Sequence, residues 1–222
     1  GQTFRRNTCF FTGENKGSRG AKMCNFRRVN QPPKNTKIRE RGTTIIQNDG
    51  TSQQKHALYK VPHHPTRCAE PEIAFRLSID IHEPLTANEV INHVDGVAAA
   101  IEIIDSRYEN FKFSLEDVVA DNCSSCAFIV GKWCDVPLGL NGLDMKMSFD
   151  GQNEAEGSSD AILDNPFEAL AAATRLAQRY NIKLKKGMIV LAGASTAASF
   201  IKETSSVKLK VDGLGETSFT IV

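Results

Sequence analysis

The hydrophobic pattern is uneven along the chain. Residues 1–60 show no sustained period, whereas from residue 72 onward apolar runs alternate with turn residues. Residues 73–81 form an apolar run between Pro71 and Pro84, which predicts a strand rather than a helix. Thr86-Ala87-Asn88-Glu89 has capping-box spacing ahead of Val90, Ile91 and Val94, so a short helix is expected there. Residues 97–104 predict a buried strand, and residues 126–130 predict another that stops at Gly131. Residues 143–149 alternate and run into Asp150-Gly151, a hairpin turn. The acidic stretch 153–160 is expected to be an exposed loop.

The clearest helix is predicted over 166–180. Asn165 caps it, Pro166 fits the first helical position and Glu168 lies in the first turn. Phe167, Leu170, Ala171, Thr174 and Ala177 make one face at helical spacing, and Asn181 is a stop. Lys185-Lys186-Gly187 turns into a strand at 188–191. Two last strands, 207–211 and 218–222, flank a turn at residues 213–215. Strands outnumber helices, and no regular crossover helices separate them. The expected class is α+β with a mixed, mainly antiparallel sheet and peripheral helices, not a Rossmann sheet.

Gly13, Gly17, Gly20, Pro32-Pro33 and Gly42 break every period in the first 60 residues. The short pair Ile45-Ile46, followed by Asn48-Asp49-Gly50, is expected to be a strand end and a turn. The chain is therefore divided into an irregular segment, 1–60, and a β-rich domain, 61–222. The segment depends on a partner subunit or lacks part of its natural context, because a compact domain seldom spends so many residues without regular structure.

At 222 residues the chain can bury a full core. Its net charge of +1 hides an asymmetry. Residues 1–60 carry 13 Lys and Arg against Glu14, Glu40 and Asp49, whereas the remainder carries 14 basic against 23 acidic residues. No aromatic-rich or helix-turn-helix pattern accompanies the basic segment, so it is expected to lie on an acidic body and not on nucleic acid. No apolar run approaches the length of a membrane span, and Gly1 to Phe11 has no apolar signal-peptide region. Six cysteines in this context predict thiols and a cytoplasmic address.

The chemistry concentrates in residues 70–121. Glu70 and Glu72 lie two apart at the head of an apolar run, so an extended chain points both the same way. Glu102 sits between Ile101 and Ile103, where an acid is costly unless something compensates it. Strand alternation alone would put it on a solvent face; Ala100 and Ile104 on that face argue mildly against this. Three carboxylates from two strands suit a hard dication such as Mg2+ or Mn2+. Asp105 and Arg107, also two apart, are either an ion pair that fixes a strand end or an anion site.

Asp121-Asn122 is turn chemistry or a polar site. Gly193-Ala194-Ser195-Thr196 follows a strand and offers N–H groups and hydroxyls to a carboxylate, with Ser195 and Thr196 the candidates. Cys123 and Cys126 lack a second pair at zinc spacing and are expected as small residues with thiols. His63-His64 in a Pro-flanked loop is expected to be solvated.

Several ordered motifs together resemble the fumarylacetoacetate hydrolase superfamily. They are Glu70-Pro71-Glu72-Ile73-Ala74-Phe75, Ile101-Glu102-Ile103-Ile104-Asp105-Ser106-Arg107, Val119-Ala120-Asp121-Asn122, Asn165-Pro166, Leu184-Lys185-Lys186-Gly187 and Gly213-Leu214-Gly215. The resemblance covers residues 62–222. It is narrower still to the 2-hydroxypentadienoate hydratase and 4-oxalocrotonate decarboxylase branch. Residues 106–113 and 192–198 lean towards the decarboxylase.

The resemblance implies a mixed β-roll with peripheral helices and a catalytic Mg2+ or Mn2+ on Glu70, Glu72 and Glu102. It implies a small 2-oxo acid as substrate. As assembly it implies a homo-oligomer or a decarboxylase–hydratase complex. It matches Lys16 to the family's acid–base lysine, although residues 16–23 blur that motif and the family's turn acid has no clear counterpart near residues 41–44. Lys16, Arg107 and Asp105 are then the catalytic candidates, with Arg107 either holding an anionic group or paired internally with Asp105, and Ser195, Thr196, Asp121 and Asn122 are the substrate-binding candidates. The expected activity is decarboxylation of a 2-oxo-3-enedioate. A hydratase and a non-catalytic partner subunit are the alternatives.

Overall fold

The computed structural model describes residues 9–11, 22–24, 59–61, 66–201 and 206–221. The strands are β1 (Cys9–Phe11), β2 (Lys22–Cys24), β3 (Tyr59–Val61), β4 (Cys68–Leu77), β5 (Val94–Ile104), β6 (Ser125–Val130), β7 (Asp144–Phe149), β8 (Gln152–Ser158), β9 (Ile189–Leu191), β10 (Ser199–Phe200), β11 (Ser206–Val211) and β12 (Gly215–Ile221). The α-helices are α1 (Ala87–Val90), α2 (Leu115–Ala120) and α3 (Pro166–Arg179).

Among the described residues two five-stranded sheets carry the fold, and β1 and β2 pair as a separate two-stranded sheet. In the first, the order is β10-β4-β5-β6, with β9 also paired to β4. In the second, the order is β3-β12-β11-β7-β8. Every ladder is antiparallel except β12 with β3. The main core contains residues of both sheets: Ile73, Phe75, Ile101 and Ile103 from the first, and Met145, Met147, Leu209 and Phe219 from the second. Helix α3 joins it through an apolar stripe, and its Phe167 ring lies 5.4 Å from that of Phe75. Asn165 caps α3 by accepting from the Phe167 N–H at 3.0 Å, and Asn181 follows the helix with φ at +52°. The Thr86–Glu89 capping box is formed in both directions.

The predicted elements differ from the observed ones in instructive places. Strand β4 starts at Cys68 rather than at residue 73, and takes in Glu70-Pro71-Glu72. Pro71 is tolerated there because its carbonyl points to the side where β9 and β10 leave β4 unpaired, and so does its missing N–H. Ile81 is no longer in the strand and makes an isolated bridge to Leu184. The stretch 153–160 is not a loop. Gln152–Ser158 is the edge strand β8, paired to β7 with a register shift between Met147 and Ser148. An edge strand that is mostly exposed has no reason to show apolar alternation, and its acids discourage further pairing. Helix α2 was not expected; Ser114 and Asp117 exchange capping hydrogen bonds at 3.1 and 3.2 Å. The expected strand end at Ile45-Ile46 and the turn at 48–50 lie outside the described residues.

The loop after β4 is tied to the turn before β9. Asp80 accepts from Lys185 Nζ at 2.5 Å and from the Lys186 N–H at 2.8 Å. These donors hold its carboxyl below the usual carboxylate range. A lowered folded-state pKa contributes stability above the unfolded value, and that contribution is lost as pH falls through the folded value. Asp80→Asn should therefore be less stable than the parent at pH 6, and the difference should shrink as pH is lowered below the usual carboxylate range, as urea titrations at a series of pH values would show.

Candidate metal centre

Glu70 and Glu72 are two apart on β4, and Glu102 on β5 stands directly opposite Glu70. Residues two apart on a strand share a face, and so do residues directly opposite across a ladder. All three acids therefore project from one face of the first sheet. Their relative exposures are 8%, 1% and 1%, and their carboxylate oxygens lie within 4.8 Å of one another. Beside the acids the same face is apolar. Phe128 stands opposite Glu102 on β6, and Ala100 and Val130 continue the row of Glu72. The alternate residues, Ala69, Ile73, Ile101 and Ile103, turn into the main core.

Three carboxylates this close and this buried repel one another as ions unless a positive charge stands among them. The donor set is all oxygen, which fits a hard dication and not a soft metal. The structure brings Glu70, Glu72 and Glu102, the three acids named from the sequence, together on one face.

The chain closes the site from the side of β4 left open between β9 and β10. The Ala192 N–H donates to the Ile73 carbonyl at 2.9 Å, and the Ser195 N–H to the Pro71 carbonyl at 3.0 Å. Between them the Gly193 N–H donates to Glu72 Oε2 at 2.8 Å and orients that carboxylate. Gly193 has φ at +107°, a conformation that a side chain would strain. Ser195 is buried and its Oγ lies 3.4 Å from the Pro71 carbonyl; Thr196 Oγ1 donates to the Ala197 carbonyl at 3.0 Å. Strand β8 meets this loop at Gly157, where an added Cβ would stand 2.7 Å from Thr196 Cγ2 and 2.9 Å from the Ser195 carbonyl oxygen.

Asp105 and Arg107 do not pair with each other, which corrects the ion-pair expectation. Strand β5 ends at Ile104, so period-two alternation stops before either residue. Asp105 faces Arg67, whose Nε is 3.5 Å away, and accepts from Thr66 Oγ1 at 2.9 Å. Arg67 and Asp105 are both buried. Burial, then the charges of Glu70 and Asp105, push the Cys68 thiol up to about 12, so it is neutral at physiological pH.

Arg107 pairs instead with Asp121. The Asp121 carboxylate accepts from Arg107 Nε, from the Arg107 backbone N–H at 3.1 Å, from Ser124 Oγ at 3.0 Å and from Ser106 Oγ at 3.5 Å. Arg107 also donates from Nη2 to the Ala120 carbonyl at 3.2 Å. Asp121 is 1% exposed and stands at the head of three consecutive left-handed residues, Asn122, Cys123 and Ser124, with φ of 56°, 52° and 58°. Such residues each cost about 1–2 kcal/mol. The turn they make brings the Ser124 carbonyl to the Asp105 N–H at 2.8 Å, so Asp121 and its partners lock the exit of β5. Asp121 is accordingly a buried hub and not simple turn chemistry.

Among the described residues, Asn122 Oδ1 is buried and has no hydrogen-bond partner. Cys123 is buried and Cys126 half-buried, and the structure has both as thiols. Lys16, His63 and His64 lie outside the described residues.

A profile of the fumarylacetoacetate (FAA) hydrolase C-terminal domain matches residues 8–222. The chain belongs to the fumarylacetoacetate hydrolase family. It is 46% identical over 151 residues to a 4-oxalocrotonate decarboxylase of Pseudomonas sp, covering 68% of this chain and 59% of that protein. It is 33% identical over 153 residues to a 2-hydroxyhexa-2,4-dienoate hydratase of Comamonas testosteroni, covering 68% and 58%. Its fold is similar to that of 4-oxalocrotonate decarboxylase from Pseudomonas putida G7 in complex with magnesium and adipate. There the TM-score is 0.66 and the identity 31%, over 70% of this chain and 60% of that one. The chain thus spans less than two thirds of the length of these relatives. The α+β β-roll expected from the sequence is the fold observed. Among the described residues, no helix is long and apolar enough to cross a membrane.

Sequence reasoning singled out the three acids and missed what surrounds them. The Gly193 N–H, the Arg67 partner of Asp105 and the apolar neighbour Phe128 all come from strands or loops distant in the chain. The Asp121 hub had one local signal, two serines and an arginine close by in a polar cluster, which fits many surface turns equally well.

Proposed function

We propose that this chain carries the metal-binding catalytic β-roll, residues 61–222, of an enzyme that decarboxylates a 2-oxo-3-enedioate of the 4-oxalocrotonate class. The observation that carries the reading is the convergence of Glu70, Glu72 and Glu102 within 4.8 Å on one buried sheet face. It is supported by the 46% identity to a protein named 4-oxalocrotonate decarboxylase. Glu70, Glu72 and Glu102 would hold Mg2+ or Mn2+. When bound, such an ion is a Lewis acid that favours negative charge on a substrate oxo oxygen.

The chain's own groups do the rest. The Gly193 N–H keeps the Glu72 carboxylate turned to the other two acids. Ala100, Phe128 and Val130 make the surrounding face apolar, which keeps water from the reacting carbon. Breaking the bond to the departing carboxylate releases CO2 and leaves its electron pair in the conjugated system, which then takes up one proton. Lys16 is the residue assigned to that proton. Arg107 has two of its five N–H donors engaged by Asp121 and Ala120, and the others are assigned to an anionic group of the substrate. Asn122, Ser195 and Thr196 offer further polar atoms, and the buried Asn122 Oδ1 is suited to accept from a ligand donor. Asp105 serves by fixing Arg67 and the end of β5. The enzyme is read as cytoplasmic, in a homo-oligomer or a complex with a hydratase.

The second reading is 2-hydroxypenta-2,4-dienoate hydratase, favoured by the 33% identity to a dienoate hydratase. Assays of the full-length protein with both substrates separate the readings. Mg2+-dependent CO2 release that EDTA abolishes is the expected result. Loss of dienol absorbance without CO2 would assign the hydratase. Neither signal would make the chain a non-catalytic partner subunit.

A further inference from the structure

Phe200 is unlike the rest of the site's surroundings. It is directly opposite Cys68 in the β10–β4 ladder, so its ring stands on the face that carries Glu70 and Glu72, one row from Glu70. The next residue, Ile201, is 2% exposed, and Phe200 itself is 53% exposed. An aromatic ring held half in solvent beside a cluster of buried acids gains little from folding alone. It is nonetheless braced. The Phe111 ring meets it edge-on at 6.2 Å with an interplanar angle of 88°. Phe111 is in turn 6.3 Å from Phe113, and Phe113 is 6.0 Å from Tyr108. Four aromatic rings thus run from the residues just after Arg107 to the edge of the acid face.

The backbone strains to keep Phe111 in that row. Its φ is +54°, next to Asn110 at +56°, and a bulky residue in the left-handed region is a steric outlier. Strain of this kind persists where surrounding contacts hold it. Here the held contact is the edge of Phe111 against Phe200.

We propose that Phe200, braced by Phe111, determines specificity by receiving the hydrocarbon middle of a 2-oxo acid whose oxygen end lies at Glu70, Glu72 and Glu102. The inference rests on the function proposed above and adds to it the residue that reads the carbon chain. Two demands of the ligand meet on this face. Its oxygen atoms belong with the acids and the ion they hold. Its apolar carbons belong against a surface that does not compete for hydrogen bonds, and the exposed face of Phe200 is such a surface one row away. A ligand with the same chelating end and no hydrocarbon would not feel the ring.

Calorimetry on the full-length protein with saturating Mg2+ tests this with two probes. Oxalate carries the chelating oxygens alone, and 2-oxoadipate adds the carbon chain. Phe200→Ala should bind 2-oxoadipate about ten-fold more weakly than the parent and oxalate equally well. Phe200→Tyr, which keeps the ring, should restore 2-oxoadipate affinity. Equal loss for both probes, or no loss for either, overturns the inference while leaving the metal-centre reading in place. So does a parent that binds oxalate and not 2-oxoadipate. A parent that binds neither probe in a Mg2+-dependent way overturns both readings.

Discussion

Glu72→Gln should lower Mn2+ affinity by at least about 100-fold, because changes merely behind a metal ligand already cost about 10–100-fold and Glu72 is assigned as a ligand. Glu72 is closely held. It is 1% exposed, and the Gly193 N–H holds one of its oxygens at 2.8 Å. The amide keeps the shape and one acceptor oxygen for the Gly193 N–H while removing the negative charge, so the fold should survive. The readout is calorimetric titration with Mn2+, followed by thermal melts. A ligand at one hundred times its dissociation constant stabilises the folded state by about 2.7 kcal/mol. At about 2–4 °C per kcal/mol for a chain of this size, Mg2+ should raise the parent's Tm by about 5–11 °C. Glu102→Ala should blunt that shift as well, because Glu102 faces Glu70 across the ladder. A Glu72→Gln protein that binds Mn2+ as tightly as the parent would show that the three acids are held together for another reason.

Asp121→Ala should destabilise the protein by about 3 kcal/mol, the lower end of the range for breaking a buried ion pair. The lower end applies because the Arg107 side chain is 38% exposed and regains water when its partner is lost. The two serine hydroxyls and the Arg107 N–H have less recourse, since Ser106 and Ser124 are buried. The three left-handed residues that follow then lose the anchor that offsets their strain. Urea unfolding followed by circular dichroism measures the change, and Asp121→Asn should fall between the two because it retains an acceptor oxygen. A loss below about 0.5 kcal/mol, the size of an ordinary surface substitution, would mean that the hub carries no weight.

Both effects depend on the same arrangement. The acids stand on β4 and β5, and the Asp121 hub closes the segment that leaves β5 three residues after Glu102. Loosening the hub should therefore move Asp105 and Arg107 before it moves Glu102, since Glu102 is held within the ladders to β4 and β6.

Much of this was already written in the order of residues. The capping box at Thr86, the helix from Pro166, the hairpin at Asp150-Gly151 and the position of most strands follow from local rules, and local rules act within a few residues. The pairing of Glu70 with Glu72 also follows, because the period of a strand is two wherever the strand lies. The ordered motifs carried the family resemblance, which the profile match over residues 8–222 shows.

Other features had no local trace. The acidic stretch around residue 155 looked like a loop because an edge strand exposed on most of its surface is not patterned by a core. The expected Asp105–Arg107 pair assumed extended chain beyond residue 104; the chain is held there instead by Asp121 and Ser124, which come from farther along the sequence. Glu102 is the sharpest case. By sequence it was an acid among isoleucines, with its face undecided. The ladder put it opposite Glu70 and Phe128, on a face where burial and a neighbouring carboxylate act together. The chain by itself determined which residues are acids, where they fall on strands and which two share a face. Only tertiary structure decided that the third joins them, that Gly193 orients one and that Phe200 stands beside them. The physical reason is that strand pairing and burial are long-range terms, set by residues far away in the chain, and the alternation of side chains along one strand does not contain them.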